Sequence, residues 1–101
     1  MELAEASAIC RVLSDPHRLV ILEQLMEREQ CGSELLKNFT FSQPTLSHHM
    51  KIMVEGGLVT ERREGKRTYY GVERRIWDEF MLVLDGLNAD NYWGESKKEE
   101  A

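Results

Sequence analysis

Long apolar runs and export signals are missing from this sequence, and cysteine is scarce. No apolar run approaches the roughly 20 residues that a membrane helix needs, so we expect no membrane contact. The acidic N-terminus lacks the basic stretch of a secretory signal, which predicts a cytoplasmic protein. In that compartment the two cysteines, Cys10 and Cys31, are expected to be reduced thiols.

Signals of catalysis are missing as well. The chain has no Gly-rich phosphate loop and no pair of carboxylates in an apolar setting. Ser14, Asp15 and His17 are close in sequence, but we interpret them as the boundary between two helices. A chain of 101 residues also lacks room for a large enclosed pocket. We therefore expect neither an enzyme nor a required cofactor.

What the chain does contain is the composition of one globular domain. It is 42% hydrophobic and 31% charged. We expect a single domain over residues 1–93 and a charged, disordered tail over residues 94–101. A lone domain of this size buries only about 60–70% of its unfolded surface, so a dimer would add stability.

Charge is distributed unevenly along the chain. The net charge is −5, yet residues 42–75 hold seven basic residues against four acidic ones, a local net of +3. A basic surface on an acidic protein can still bind nucleic acid, because the charge near the phosphates is what matters. Scattered surface charge explains the count equally well, so charge alone does not decide.

Two hydrophobic periods divide the chain into helices and one hairpin. Helical spacing predicts helices over residues 2–13, 16–29, 33–38, 43–55 and 73–89. The β-rich runs 58–63 and 68–72 flank Glu64-Gly65-Lys66 and predict a hairpin. Expected N-caps are Asp15, Ser33 and Ser42, and Gly56-Gly57 is a left-handed stop signal. The apolar stripes of the first two helices are predicted to be Leu3, Ala6, Ile9, Cys10 and Leu13, then Leu19, Leu22, Leu25 and Met26.

This order, α-α-α-α-β-β-α, predicts a mainly α fold with a small β-hairpin, the winged helix-turn-helix. Helices 33–38 and 43–55 form the helix-turn-helix, and the hairpin forms the wing. Leu46, Met50 and Met53 share the core face of the second helix. Its exposed candidates for DNA contact are Gln43, Thr45, Ser47 and His48 for bases, and Lys51 for phosphate. The wing carries Arg62, Arg63, Lys66 and Arg67.

The adjacent pair His48 and His49 first suggests a metal site. Neighbouring residues on a helix project about 100° apart, whereas chelating pairs are usually spaced i, i+4 on one face. We therefore do not expect these two histidines to bind one ion. His48 faces outward and is favoured for DNA contact, while His49 lies at the edge of the core and is favoured as a packed or hydrogen-bonded side chain.

The segments "VLSDPHRLVILEQL" and "SQPTLSHHMKIMVEGGLVTERREGKRTYYGV" together resemble the ArsR/SmtB family of bacterial winged-helix repressors. The resemblance covers about residues 8–75. It implies a homodimer through the first and last helices, bound to a palindromic operator and released by an effector. It also adds Ser42 to the DNA-reading residues and implies phosphate or minor-groove contact by the wing.

The effector is where the sequence departs from this family. Many members carry Cys-Val-Cys, which binds arsenite or soft metals, where this chain has Cys31-Gly32-Ser33. The positions of the family's zinc site are Arg74, Ile76, Leu87 and Asp90 here, and we expect no zinc site there. Either Cys10 is a buried core residue and Cys31 an incidental thiol, or the two form a redox switch, or they bind a metal or metalloid; these alternatives stay open.

A protein-interaction module that does not read DNA is the alternative function. Such a module would favour an acidic or apolar wing. The basic wing and the polar start of the second helix favour a sequence-specific DNA-binding repressor.

Overall fold

A computed structural model describes residues 1–88, which form five helices and three strands. In chain order these are α1 (Leu3–Val12), α2 (Pro16–Glu27), β1 (Gln30–Cys31), α3 (Gly32–Leu36), α4 (Gln43–Glu55), β2 (Val59–Glu64), β3 (Arg67–Val72) and α5 (Arg74–Leu87). The predicted winged helix-turn-helix is confirmed. The predicted tail, and Ala89 at the end of the predicted last helix, lie outside the described residues. No helix in the described range has the length and apolarity to cross a membrane.

One hydrophobic core joins the helices to the start of the hairpin. Its buried members are Ala6, Ile9, Val12, Ile21, Leu22, Leu25, Leu35, Leu46, Met50, Met53, Leu58, Val59 and Phe80. The predicted core face of α4 is confirmed, because Leu46, Met50 and Met53 are all buried. Each such side chain contributes roughly 1.5–3 kcal/mol by leaving water, so α4 is held firmly on the body of the domain.

The predicted apolar stripe of α1 is only partly correct. Ala6 and Ile9 are buried, but Leu3 and Cys10 are exposed and Val12 is buried. Apolar residues occupy more than one side of this helix, and helical spacing alone does not show which side the core will cover. Cys10 is therefore a surface thiol.

The same ambiguity affects α2. Leu22 and Leu25 are buried as predicted, whereas Leu19 is 49% exposed and the unpredicted Ile21 is fully buried. The sequence offers two overlapping apolar stripes here. Packing against α4 and the strands selects the one that contains Ile21.

Helix α3 begins at Gly32, so Ser33 is not its N-cap. Cys31 is the N-cap, and its backbone N–H donates to Oε1 of Glu34 at 3.0 Å. A glutamate three residues into a helix often reaches back to the capping residue in this way. This bond and the cationic Arg28 lower the pKa of Glu34 to about 2. The helix also ends at Leu36, two residues earlier than predicted.

A short strand that was not predicted, β1, joins the wing to the body of the domain. The three strands are antiparallel in the order β1-β3-β2. Gln30 pairs with Tyr70 and Cys31 with Tyr69. Only two residues form this strand, which is too short for an alternating pattern to be visible in the sequence.

Three glycines shape the two ends of the hairpin connection. Gly57 (φ +80°) follows α4 and Gly65 (φ +62°) lies in the turn of the wing, both in the left-handed region. Gly56 is needed for a different reason, since its φ is −74°. A Cβ placed there would lie 2.7 Å from Cγ2 of Val12, so the C-terminal end of α4 packs directly on α1.

Candidate nucleic-acid interface

The N-terminal turn of α4 is fixed by a local cap. Oγ of Ser42 accepts a hydrogen bond from the backbone N–H of Thr45 at 3.4 Å, and Pro44 lies in the first turn. The predicted N-cap is thereby confirmed. Because one face of α4 is buried in the core, its opposite face points outward, and this includes the N-terminal turn.

That outward face carries the predicted DNA-reading side chains. The structure leaves all of the following exposed: Ser42, Gln43, Thr45, Ser47, His48 and Lys51. Nε2 of Gln43 donates to Oγ of Ser47 at 2.9 Å, and the hydroxyls of Ser42 and Thr45 lie 3.2 Å apart. These neutral polar groups are ordered by one another, and they would exchange these bonds for bonds to a base edge.

His49 differs from its neighbour, as predicted. It is 6% exposed, and its Nδ1 lies 3.2 Å from Nη1 of Arg18. Burial, helped by the positive charge of Arg18, lowers the pKa of His49. Its ring also contacts those of His17 and Phe41, at centroid distances of 5.7 and 5.6 Å. A neutral, hydrogen-bonded histidine is therefore part of the support beneath the exposed face.

The four basic residues of the wing do not have the same surroundings. Arg62 donates to Glu29 at 2.5 Å and to Glu64, and its guanidinium lies 4.9 Å from the centroid of the Tyr69 ring. Its two hydrogen-bonded carboxylates raise the pKa of Arg62. The charge of this arginine is thus largely balanced within the protein.

The other three basic residues, Arg63, Lys66 and Arg67, remain exposed and form no ion pair within residues 1–88. Arg67 and Glu64 are opposite each other in the strand register of the hairpin, which places Lys66 in the turn at its tip. A hydrogen bond with Tyr69 raises the pKa of Arg67. These three positive charges are therefore available to an anionic partner.

A groove of about 510 Å³ brings part of each set of predicted residues together. Gln43 and Ser47 of α4 line one side, and Arg63, Lys66 and Arg67 of the wing line another. Polar groups that can read base edges thus lie beside cations that can hold phosphates. The sequence placed these residues on separate elements, and the sheet register brings them to one surface.

Cys31 also lines this groove, which the sequence did not predict. The residue is 1% exposed, and its Sγ lies 3.1 Å from Oγ of Ser33. The two thiols therefore have opposite environments, Cys31 buried beside the groove and Cys10 exposed on α1. The predicted alternative in which Cys10 is a buried core residue is wrong, because Cys10 is exposed and Cys31 is the buried thiol.

Comparison with known proteins agrees with this geometry. Residues 15–61 match the family described as "Bacterial regulatory protein, arsR family". The chain is 44% identical over 91 residues to the arsenical resistance operon repressor of Staphylococcus aureus, a match that covers 90% of this chain and 88% of that protein. The chain belongs to the ArsR family. Its predicted role as a DNA-binding transcriptional regulator is confirmed by this membership.

Solved structures share the fold of this ArsR-family chain. A crystal structure of an ArsR family transcriptional regulator has a TM-score of 0.80 at 20% identity, covering 93% of this chain and 95% of the other. A solution structure of a homodimeric winged helix-turn-helix DNA-binding domain from Mycobacterium bovis has a TM-score of 0.70 at 28% identity. That second match covers 85% of this chain and 81% of the other.

Proposed function

We propose that this protein is a homodimeric repressor that reads a palindromic operator with α4 and holds the flanking phosphates with the wing. The observation that carries the proposal is the groove in which Gln43 and Ser47 face Arg63, Lys66 and Arg67. Two copies of α4 related by a two-fold axis would enter successive major grooves about one DNA turn apart.

The bases would be read by Gln43, Thr45, Ser47 and His48, with Ser42 and Lys51 closer to the backbone. Gln pairs well with adenine, while Ser, Thr and His can bond a base edge or a phosphate. Arg63, Lys66 and Arg67 would add affinity without sequence preference, because phosphates are the same at every step. Arg62 would contribute less, since it is already bonded to two carboxylates.

The test is binding of the reduced protein to DNA from its own upstream region, followed by fluorescence anisotropy over a salt series. We expect tight binding that weakens steeply with salt, because phosphate contacts release counterions. Arg67→Ala should reduce the slope of log affinity against log salt by about 1.

Arg75→Ala is the matched control. It removes the same charge from an exposed arginine that is paired with Glu79 and lies outside the groove. Equal slopes for the wild type and Arg67→Ala would contradict phosphate contact by the wing. Absence of operator binding at every salt concentration would instead favour the protein-interaction module.

Dimerisation through α1 and α5 is supported by their exposed apolar side chains. Leu3 of α1 is 68% exposed, and Leu82 and Leu84 of α5 are 71% and 38% exposed. The two helices also pack against each other within one chain, so these side chains can form one continuous surface. The homodimeric M. bovis domain supports the same assembly.

Leu82→Asp should therefore convert the dimer to a monomer, because a carboxylate would be buried at the interface without a partner. Sedimentation equilibrium measures the molar mass directly. Leu19→Asp is the control, since Leu19 is an exposed leucine on α2. A Leu82→Asp dimer as stable as the wild type would exclude this part of α5 from the interface.

We propose a metal or metalloid as the effector that releases the operator. The position of Cys31 beside Gln43 and Ser47 supports this, because an ion bound to its thiolate would lie in the groove itself. Ser33 offers only a hydroxyl, a weak ligand for soft ions. Arsenite, cadmium and an oxidant should each be added to the complex of operator with wild type or with Cys10→Ser/Cys31→Ser. Unchanged release from the double variant would exclude the thiols.

A further inference from the structure

Three side chains that can bind a metal ion converge where the start of α2 meets α4. Asp15, His17 and His49 each offer one ligand atom, and these atoms all lie within 4.8 Å of one another. Nδ1 of His17 lies 3.8 Å from Oδ1 of Asp15. Residues 1–88 contain no second group of three such residues. None of the three is a thiol, so the group is separate from Cys31.

We propose that Asp15, His17 and His49 bind a divalent metal ion of the zinc class, and that binding breaks the hydrogen bond between Arg18 and His49. The two parts of this proposal rest on different observations. The first rests on the donor set and its spacing, and the second rests on the number of lone pairs that an imidazole has.

The donor set fits zinc, cobalt or nickel better than a soft metalloid. Two imidazoles and a carboxylate are common zinc ligands, and three protein ligands leave a fourth position for water. Ligand atoms around a tetrahedral zinc ion lie about 3.4 Å apart, given bonds of about 2.0–2.1 Å. The three side chains must therefore approach one another. His17 can do this, because its side chain is 55% exposed.

The bond between Arg18 and His49 fixes the state of the imidazole. Arginine has only donors, so Nδ1 of His49 must be the acceptor of the 3.2 Å contact with Nη1. A neutral imidazole has one nitrogen with a free lone pair and one N–H, so its proton lies on Nε2. That single lone pair can serve the guanidinium or a metal ion, but not both.

Either mode of metal binding breaks the hydrogen bond between Arg18 and His49. A metal at Nδ1 replaces the guanidinium directly. A metal at Nε2 requires the proton to move to Nδ1, which then donates and no longer accepts. In both cases no proton is gained or lost overall, and the contact between Arg18 and His49 ends.

Arg18 connects two helices through this contact. Its Nε donates to the carbonyl oxygen of Val12 at the end of α1, at 2.5 Å. Its other end holds His49 on α4. Losing the bond to His49 removes the link that Arg18 forms between α4 and the end of α1. The guanidinium charge and the N-terminus of α2 both oppose a cation at this place, and the carboxylate of Asp15 offsets them in part.

The first experiment is titration of the purified, reduced protein with Co²⁺, followed by the visible absorption of the tetrahedral ion, with zinc as competitor. We expect one ion per chain. His17→Gln and His49→Gln should each weaken binding by at least about tenfold. His17→Gln is the more informative variant, because this exposed side chain can be changed with little risk to folding.

Two control variants separate this site from other ligands. His48→Gln changes an exposed histidine next to His49 and should leave the affinity unchanged. Cys10→Ser/Cys31→Ser should also leave it unchanged. Wild-type affinity in His17→Gln, or loss of binding in the cysteine variant, would overturn the proposed site.

Arg18→Met tests the competition itself. It keeps an apolar stem but removes both the donor and the charge, so the affinity for Co²⁺ should rise by about tenfold. A purely structural role of Arg18 would leave metal affinity unchanged or lower it. That result would overturn the exchange between Arg18 and the metal.

An effect of zinc on operator binding rests on the proposed function and is measured separately. We expect zinc to weaken operator binding by the wild type and not by His17→Gln. Operator binding that zinc leaves unchanged, with the metal bound, would overturn the coupling between the site and α4. Failure to bind DNA at all would overturn the proposed function, while the Co²⁺ titration of the free protein would still decide the site.

Discussion

The start of α4 and the wing face the same groove, but they are built differently. The exposed side chains of α4 are mainly neutral and hydrogen-bonded to one another, and buried Leu46, Met50 and Met53 lie directly behind them. The wing carries exposed charge on two strands, and among its residues only Val59 is buried. One region is fixed by a core and the other by backbone pairing.

This difference matches the two kinds of contact that DNA requires. A hydrogen bond to a base edge needs a donor–acceptor distance of about 2.7–3.2 Å, so the reading groups must be placed accurately. Attraction between a cation and a phosphate falls only slowly with distance. The wing can therefore work with looser placement than α4.

The largest expected effect is on the support of α4. Met53→Ala removes a fully buried side chain and should lower the free energy of unfolding by about 2–5 kcal/mol. Urea denaturation measures this. Met81→Ala, on the half-buried side of α5, should cost less. Equal losses of unfolding free energy in the two variants would show that the core behind α4 does not fix this helix more firmly than α5.

A smaller effect is expected on reading by α4. Thr45→Ala removes a hydroxyl but leaves the Ser42 cap bond to the backbone of residue 45 intact. Discrimination at one base step should fall by roughly 1–3 kcal/mol, while stability changes by less than about 0.5 kcal/mol. Anisotropy with operator and scrambled DNA measures the ratio. Equal losses of affinity for operator and scrambled DNA would indicate that Thr45 contacts a phosphate and not a base.

The smallest effect is expected within the wing. Arg62→Ala should change the salt slope of DNA binding by less than half as much as Arg67→Ala, because Glu29 and Glu64 already balance its charge. The two slopes are measured side by side in the same salt series. If Arg62→Ala matches Arg67→Ala, the ion pairs of Arg62 open on DNA, and the wing carries four available charges rather than three.

The parts of the fold that the sequence predicted depend on signals within one turn or one helix. The caps at Asp15 and Ser42, and the core face of α4, are of this kind. Each needs only residues that are near neighbours in the chain. The same holds for the turn at Gly65, where a left-handed backbone requires glycine.

The parts that it did not predict depend on contacts between distant segments. Strand β1 exists because Gln30 pairs with Tyr70, and Ile21 is buried because other elements cover that side of α2. The exposure of Cys10 and the burial of Cys31 likewise depend on which elements pack against them. The DNA-contact residues remain predictions, and the groove is lined by half of them.

The pair His48 and His49 shows both what local sequence predicts and what it does not. His48 and His49 are still expected not to chelate one ion together, because neighbouring helical residues project about 100° apart. The partners that His49 does have, Asp15 and His17, lie more than 30 positions earlier in the chain. No spacing rule for a single helix reveals such a group.

The close packing of Gly56 on Val12 has a consequence for how repressors of this design can diverge. The C-terminal end of α4 admits no larger side chain without moving α1. The N-terminal turn, in contrast, carries exposed residues that can be exchanged at little cost to folding. If α4 reads the operator as proposed, a descendant of this protein could therefore acquire a new operator through substitutions at Gln43, Thr45, Ser47 and His48 alone, while the angle at which α4 approaches the DNA is inherited unchanged.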